Sequence, residues 1–267
     1  MSFSRLSAAL AATALLLMPA LSSRAEAQDH SLTASYAVTV AGLRIGTGWL
    51  SVAFRGDGYA ATVRAQTTSV GRLVSAGQGE ATARGRLRST RPVPVSYDLS
   101  ASEEDKTNVV EMQLSGGNIT RVTAEPPLTP HPHRVAVERQ HRRGIVDPVS
   151  ALLIPVPNAE AANGPAACNR ALPIFDGRQR YDIELTFVRM DRHPLGQGGQ
   201  AVVCRARYVP IAGHRSSRRV NQELSRNQDL FVWLAQVGDR PLVAPVRMEV
   251  GLNFGRVIID ARSFEYR

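Results

Sequence analysis

The stretch Leu50-Ser51-Val52-Ala53-Phe54-Arg55-Gly56-Asp57-Gly58-Tyr59-Ala60-Ala61-Thr62-Val63-Arg64-Ala65 decides the fold class. Leu50, Val52 and Phe54 recur with a period of two, and so do Tyr59, Ala61, Val63 and Ala65. Successive side chains of a strand point to opposite faces, so each run is a half-buried antiparallel strand. Asp57-Gly58 lies between the runs, and Asp-Gly is a strong hairpin signal because the turn needs positive φ. Arg55-Gly56-Asp57 also spells a cell-adhesion tripeptide, but the turn accounts for these residues without it.

The same period extends along the chain. Leu32, Ala34, Tyr36, Val38 and Val40 alternate with smaller or polar residues, as do Val93, Val95, Tyr97 and Leu99, then Val110, Met112 and Leu114. Gly116-Gly117-Asn118 supplies another turn. Later runs are Tyr181 to Phe187, Val202 to Tyr208, Leu242 to Val250, and Val257 with Ile259; Gly196 to Gly199 is the turn between the first two. Leu230 to Val237 suits a strand or a helix. Short strands with regular turn signals predict an all-β, mainly antiparallel chain, a curved open or partly closed β-barrel. No repeat period is visible, so residues 28–267 are expected to form a single β-rich domain.

The middle of the chain differs. Pro126, Pro127, Pro130 and Pro132 mark an irregular crossing. Asp147-Pro148-Val149-Ser150-Ala151-Leu152-Leu153-Ile154 then reads as the one short helix that the sheet wraps. Asp147 is a good N-cap, Pro148 fits the first helical position, and Pro155 and Pro157 end it. Its apolar residues lie on most sides, so it is expected to be buried.

Residues 1–27 read as a secretory signal peptide. Arg5 gives a positive start, Ala8 to Met18 is an apolar run broken only by Thr13, and Ala25-Glu26-Ala27 is a small-x-small cleavage site. The run is too short to span a bilayer, which takes about 20 apolar residues. Cleavage near Ala27 and a periplasmic location are expected, with no transmembrane segment in the mature chain. In an oxidising compartment two cysteines, Cys168 and Cys204, read as a disulfide.

Net charge is +9, and losing Arg5, Arg24 and Glu26 with the leader lowers it by one to +8. Lys106 is the only lysine and the arginines are dispersed, the densest groups being Arg139, Arg142, Arg143 and Arg215, Arg218, Arg219. No basic stripe or nucleic-acid motif accompanies them, so the charge reads as a solvated surface and no nucleic acid is expected.

No constellation amounts to an active site, and no catalytic, cofactor-binding or metal-binding residue is assigned. His131-Pro132-His133 with His141 lacks a carboxylate-rich shell. Asp182 and Glu184 share a strand face with Arg180, which makes a polar face a better reading than paired acid–base carboxylates. A Gly-x-Ser-x-Gly elbow is missing, and a phosphate-cradling glycine loop between strand and helix is missing as well. The best polar candidate is Asp176, Arg178, Arg180 and His214. It reads either as an ion-paired hairpin end or as a site for an anionic group.

Several segments together carry a resemblance: Tyr36, Gly42-Leu43-Arg44-Ile45-Gly46, Tyr59, the segment from Gly85 to Pro92, Asp147-Pro148-Val149-Ser150, Phe175 to Tyr181, Cys204, and Pro210-Ile211-Ala212-Gly213-His214. Through them the chain resembles a bacterial envelope family catalogued as domain of unknown function 3108. The resemblance implies a secreted β-protein. The family is similar in turn to the half-barrels that carry lipoproteins across the periplasm, in which a curved antiparallel sheet wraps a short helix. No catalytic residue comes with it. Three functions stay open: a non-catalytic protein that binds or carries an apolar or amphipathic envelope ligand such as a lipid, an envelope hydrolase with an unrecognised site, and a structural accessory of an envelope complex.

Overall fold

The computed structural model describes residues 29–68, 71, 77–196, 199–253 and 255–267; the expected signal peptide and its cleavage site lie outside them. The strands are β1 (Asp29–Val40), β2 (Leu43–Arg55), β3 (Gly58–Thr67), β4 (Gly77–Leu87), β5 (Pro92–Glu103), β6 (Lys106–Ser115) and β7 (Asn118–Glu125) in the first half. The second half holds β8 (Ile154–Pro155), β9 (Arg170–Phe175), β10 (Arg180–Arg192), β11 (Gln200–Ala212), β12 (Leu230–Gln236), β13 (Leu242–Leu252) and β14 (Gly255–Tyr266), with α1 (Arg219–Arg226) between β11 and β12.

All of them belong to one open antiparallel sheet, ordered β7-β6-β5-β4-β3-β2-β1-β14-β13-β12-β11-β10-β9, with β8 paired to β13. The first and last strands lie side by side at its centre, with Leu32 opposite Tyr266 and Val38 opposite Ile259. Each half is a meander running outward from that seam. The chain between the two edge strands, residues 126–169, must therefore travel from one edge to the other.

The decisive hairpin forms with Phe54 opposite Tyr59 and Arg55 opposite Gly58. Its two turn residues are Gly56 and Asp57, one position earlier than Asp57-Gly58, and the positive φ of 58° falls on Gly56. A turn with glycine first matches the right-handed strand twist as well as Asp-Gly does. The 230–237 run is a strand: Val232, Trp233, Leu234 and Ala235 bury both its faces.

The helix expected over Asp147 to Ile154 is shortened to a single 3-10 turn, Ser150–Leu152, and Ile154–Pro155 is the short strand β8 instead. Asp147 does cap the turn: its Oδ1 accepts N–H bonds from Val149 at 2.9 Å and Ser150 at 2.8 Å. The chain extends after Leu153 because Val156 N–H and the β8–β13 pairing take its backbone bonds to Pro241 and β13. α1 was not foreseen. Its eight residues have no side-chain cap and no buried residue, and Val220 and Leu224 are its only two apolar residues, too few to mark a helix. The pairs Arg219–Glu223 and Val220–Leu224, both at i,i+4, were its local signs.

Inward side chains of β1 to β6, among them Leu32, Val52, Phe54, Ala83, Tyr97 and Met112, form the main core with Ile145, Val149, Leu153 and Phe175. The central segment thus fills the hollow of the first meander. Each such buried side chain contributes about 1.5–3 kcal/mol. A second cluster packs Leu185, Val202, Cys204, Leu234 and Val243 against Ile154, Val156, Ala162 and Ala167.

The central segment ties the two sheet edges, meeting β9 in a single parallel bridge of Val146 with Ile174. Ile145 N–H bonds Gly117 O at 2.8 Å, Val146 N–H bonds Pro173 O at 2.8 Å, and Phe175 N–H bonds Val146 O at 3.0 Å. Arg178 completes the tie by donating to Pro126 O at 2.6 Å and Glu125 O at 2.9 Å. Behind Arg178, Gly213 sits at φ +81°, and a Cβ there would lie 2.1 Å from Arg178 O. Gly213→Ala combines a left-handed backbone with that clash, so an expected loss of about 2 kcal/mol should appear in urea unfolding. A midpoint equal to wild type would show that this joint does not matter.

Candidate functional site

The 3-10 turn has two working sides. Val149 and Leu153 point into the main core, whereas Pro148, Ala151, Leu152 and Ile154 form one wall of a cavity of about 270 Å³. The other wall is the sheet face of β9 to β13, including Leu172, Ile183, Ala206, Val232 and Met248. Period-2 alternation on these strands puts the apolar set on that face, and their polar neighbours elsewhere: Arg180 pairs with Asp182 at 2.6 Å and Glu184 with Arg207 at 2.6 Å. Glu249 is the one charged residue in the lining. Leu152, Ile183 and Met248 stay half-buried, so the cavity opens to solvent. Tyr181 is at its edge, its ring 5.3 Å from that of Tyr208. Burial raises both phenols above the ordinary tyrosine range.

Below the turn lies a buried polar chain. Asp147 is fully buried, and its Oδ2 accepts a short bond from Ser150 Oγ; Tyr59 OH meets the same Oγ at 2.6 Å. Burial raises the Asp147 carboxyl to about 6 against the pull of the bonds it accepts from Ser150 and Val149. Ser150 has no exposed surface. This is a serine, an acid and a phenol in sequence, but closed to any substrate.

Asp176, Arg178, Arg180 and His214 come from backbones that lie side by side, since Arg180 is registered with Ala212. Their functional groups diverge. Asp176 Oδ1 accepts the amides of Arg178 at 2.8 Å and Gln179 at 2.6 Å, an Asx turn, and burial raises its carboxyl above the ordinary range. Arg178 reaches the far sheet edge, and Arg180 holds Asp182. His214 is nearly buried with no partner at Nδ1, and burial lowers its imidazole. His131 and His133 have rings 5.7 Å apart, and the imidazole of His131 is lowered first by desolvation, then by Arg215, His133 and Arg134. His141 Nδ1 accepts the amide of Glu138. Among the described residues no three His, Cys, Asp or Glu side chains converge as metal ligands, and no helix is long and apolar enough to cross a membrane.

Cys168 and Cys204 are joined, with Cα atoms 5.7 Å apart, and the bond pins the loop after Pro165–Ala167 to β11. Comparison with protein families adds one match, over residues 35–262, to the model described as Protein of unknown function (DUF3108). The chain belongs to that family. No curated protein and no solved structure matches it. Within this DUF3108 chain, the motif residues that carried the resemblance prove to be joints of the fold. Tyr59 bonds the serine of Asp147-Pro148-Val149-Ser150, Tyr36 OH donates to Pro245 O at 2.7 Å, and Gly213 backs Arg178.

Sequence reasoning missed the cavity's membership. Leu172, Ile174 and Met248 are ordinary strand residues, and nothing local announces that Leu152 faces them. The signal available was the unusual number of apolar residues around the 147–154 segment, more than one core contact could absorb.

Proposed function

We propose that this DUF3108 protein is a non-catalytic periplasmic protein that shelters an apolar or amphipathic envelope molecule. The observation that carries this is the open, almost wholly apolar cavity of about 270 Å³ between the 148–154 segment and β9 to β13. Its size is near the lower end of ligand pockets, which suits a slim chain better than a ring system. Val, Leu, Ile and Met walls also suit an acyl chain, as the only aromatic rings in the lining are Tyr181 and Phe231. The leader-like residues 1–27 and the disulfide support export.

The hydrolase reading finds less support. Its best serine, Ser150, has no access to solvent, and its acid partner Asp147 is spent as a cap. We assign Asp176, Arg178, Arg180 and His214 to closing the fold, because Asp176 and Arg178 spend their bonds on backbone groups.

Titration with a fluorescent fatty acid tests the reading. Saturable binding is expected, and Leu152→Arg should weaken it at least tenfold by setting a charge in the cavity wall. Leu152 is half-buried, so the variant is expected to melt within a few degrees of wild type. Absence of saturable binding across fatty acids and lysolipids would overturn the proposal and favour the structural-accessory role.

A further inference from the structure

A second cleft, of about 560 Å³, adjoins the cavity between the β4–β5 turn and the disulfide loop. Ile154 and Leu172 line both spaces, which therefore lie side by side. The charged residues of this cleft are Arg91 and Arg170, and neither Asp nor Glu lines it. Its remaining polar side chains are the neutral Ser89, Thr90 and Asn169.

Several arginines elsewhere in the sheet have carboxylate partners, among them Arg180 with Asp182, Arg207 with Glu184, and Arg247 with Glu249 and Asp260. Arg170 has none. Carbonyls hold it instead, Pro155 O at 2.8 Å, Ala166 O at 2.5 Å and, at the limit, Thr90 O at 3.5 Å. Carbonyls orient a guanidinium without neutralising it. Its Nε is buried with no acceptor at all. Arg91 is exposed, next in the chain to Thr90, and among the described residues no carboxylate pairs with it. Two guanidinium groups without a carboxylate partner, one fixed and one exposed, in a cleft beside an apolar cavity are complementary to a single anionic head group on an apolar chain.

We propose that the sheltered ligand is a single-chain anionic amphiphile, its chain in the cavity against Leu152 and its carboxylate or phosphate in the cleft against Arg170 and Arg91. This rests on the carrier reading and names its ligand class.

The test uses amphiphiles of one chain length below their micelle concentrations: dodecanoate, dodecyl phosphate, dodecyl maltoside and dodecyltrimethylammonium, each titrated by calorimetry into the oxidised protein. Both anions are expected to bind at least tenfold more tightly than the maltoside, and the cation least. Comparing dodecanoate with dodecyl phosphate decides between a carboxylate and a phosphate head. Arg91→Gln should reduce the anion preference severalfold and leave the melting temperature unchanged. Arg170→Gln should abolish the preference; because Arg170 also anchors its loop, Arg91→Gln decides if that variant unfolds. Equal binding of all four head groups would overturn the head-group assignment and leave the carrier standing. Binding of none would overturn both.

Discussion

Asp147→Ala is expected to cost about 3 kcal/mol of stability at neutral pH, from the loss of one buried side chain that touches no ligand. The carboxylate takes the amides of Val149 and Ser150 and the hydroxyl of Ser150, all of them buried. Removing it strands these donors inside the protein, at about 1–3 kcal/mol for each group left unsatisfied. It also frees the turn that carries Val149 and Leu153 into the core and Leu152 to the cavity. Asp147→Asn should behave differently. It keeps an oxygen for the two amides and carries no charge, so its cost at pH 7 should stay under about 1 kcal/mol.

The charge gives this prediction a pH signature. Burial raises the carboxyl to about 6 from an ordinary 3.8, so the folded protein binds this proton more tightly than the unfolded chain does. Its stabilising contribution is therefore complete below about 3.8 and is lost as pH rises through about 6. The difference amounts to about 3 kcal/mol. In urea unfolding the stability of wild type should fall relative to Asp147→Asn by most of this amount between pH 4 and 7, the fall lying between about pH 4 and 6. Parallel curves would falsify the assignment.

The second large effect is expected from the disulfide. Cys168 and Cys204 are 36 residues apart in sequence and both are buried. Closing a loop of that length restricts the unfolded chain by about 3–4 kcal/mol in the chain-entropy account. A Cys168→Ala/Cys204→Ala double variant should therefore melt on the order of 10 °C lower, given a few degrees per kcal/mol at this size. Binding should change selectively as well. The bond pins the loop that supplies Pro165, Ala166 and Arg170 to the cleft, while the cavity wall of Leu152 and Ile183 is held by the sheet. The double variant should lose preference for anionic head groups before it loses affinity for the apolar chain. An unchanged melting temperature, measured by calorimetry against the oxidised parent, would refute the energetic argument.

Strands were legible because each reports itself locally. Leu50 to Phe54 and Tyr59 to Val63 alternate whatever the rest of the chain does, and the turn chemistry of residues 55–58 leaves the hairpin little choice except the exact pair of turn residues. The central segment was only half legible. Asp147-Pro148 announced a capped turn, and the cap formed, but the length of the helix was set elsewhere. Pairing of Ile154 with Val243 and the bond from Val156 to Pro241 draw the chain into an extended form that local propensity does not contain. For the polar set Asp176, Arg178, Arg180 and His214, sequence placed three residues on one hairpin. It could not show that Arg178 turns away to the carbonyls of Glu125 and Pro126, 53 and 52 residues distant.

The amino-acid sequence by itself determined the antiparallel strands, most of their turns, the pairing of the two cysteines and membership of the DUF3108 family, because alternation, glycine placement and a count of two are properties of short segments. Tertiary structure alone decided that β1 lies against β14, that Tyr59 meets Ser150, and that Arg91 and Arg170 share a cleft without a counter-charge. Those contacts join residues about 80 to 230 positions apart, at a loop-closure cost nearly independent of which distant partner is chosen. The choice among partners falls to packing of the assembled sheet, where the shape left between Leu152 and the β9 to β13 face is settled only once every strand is in register.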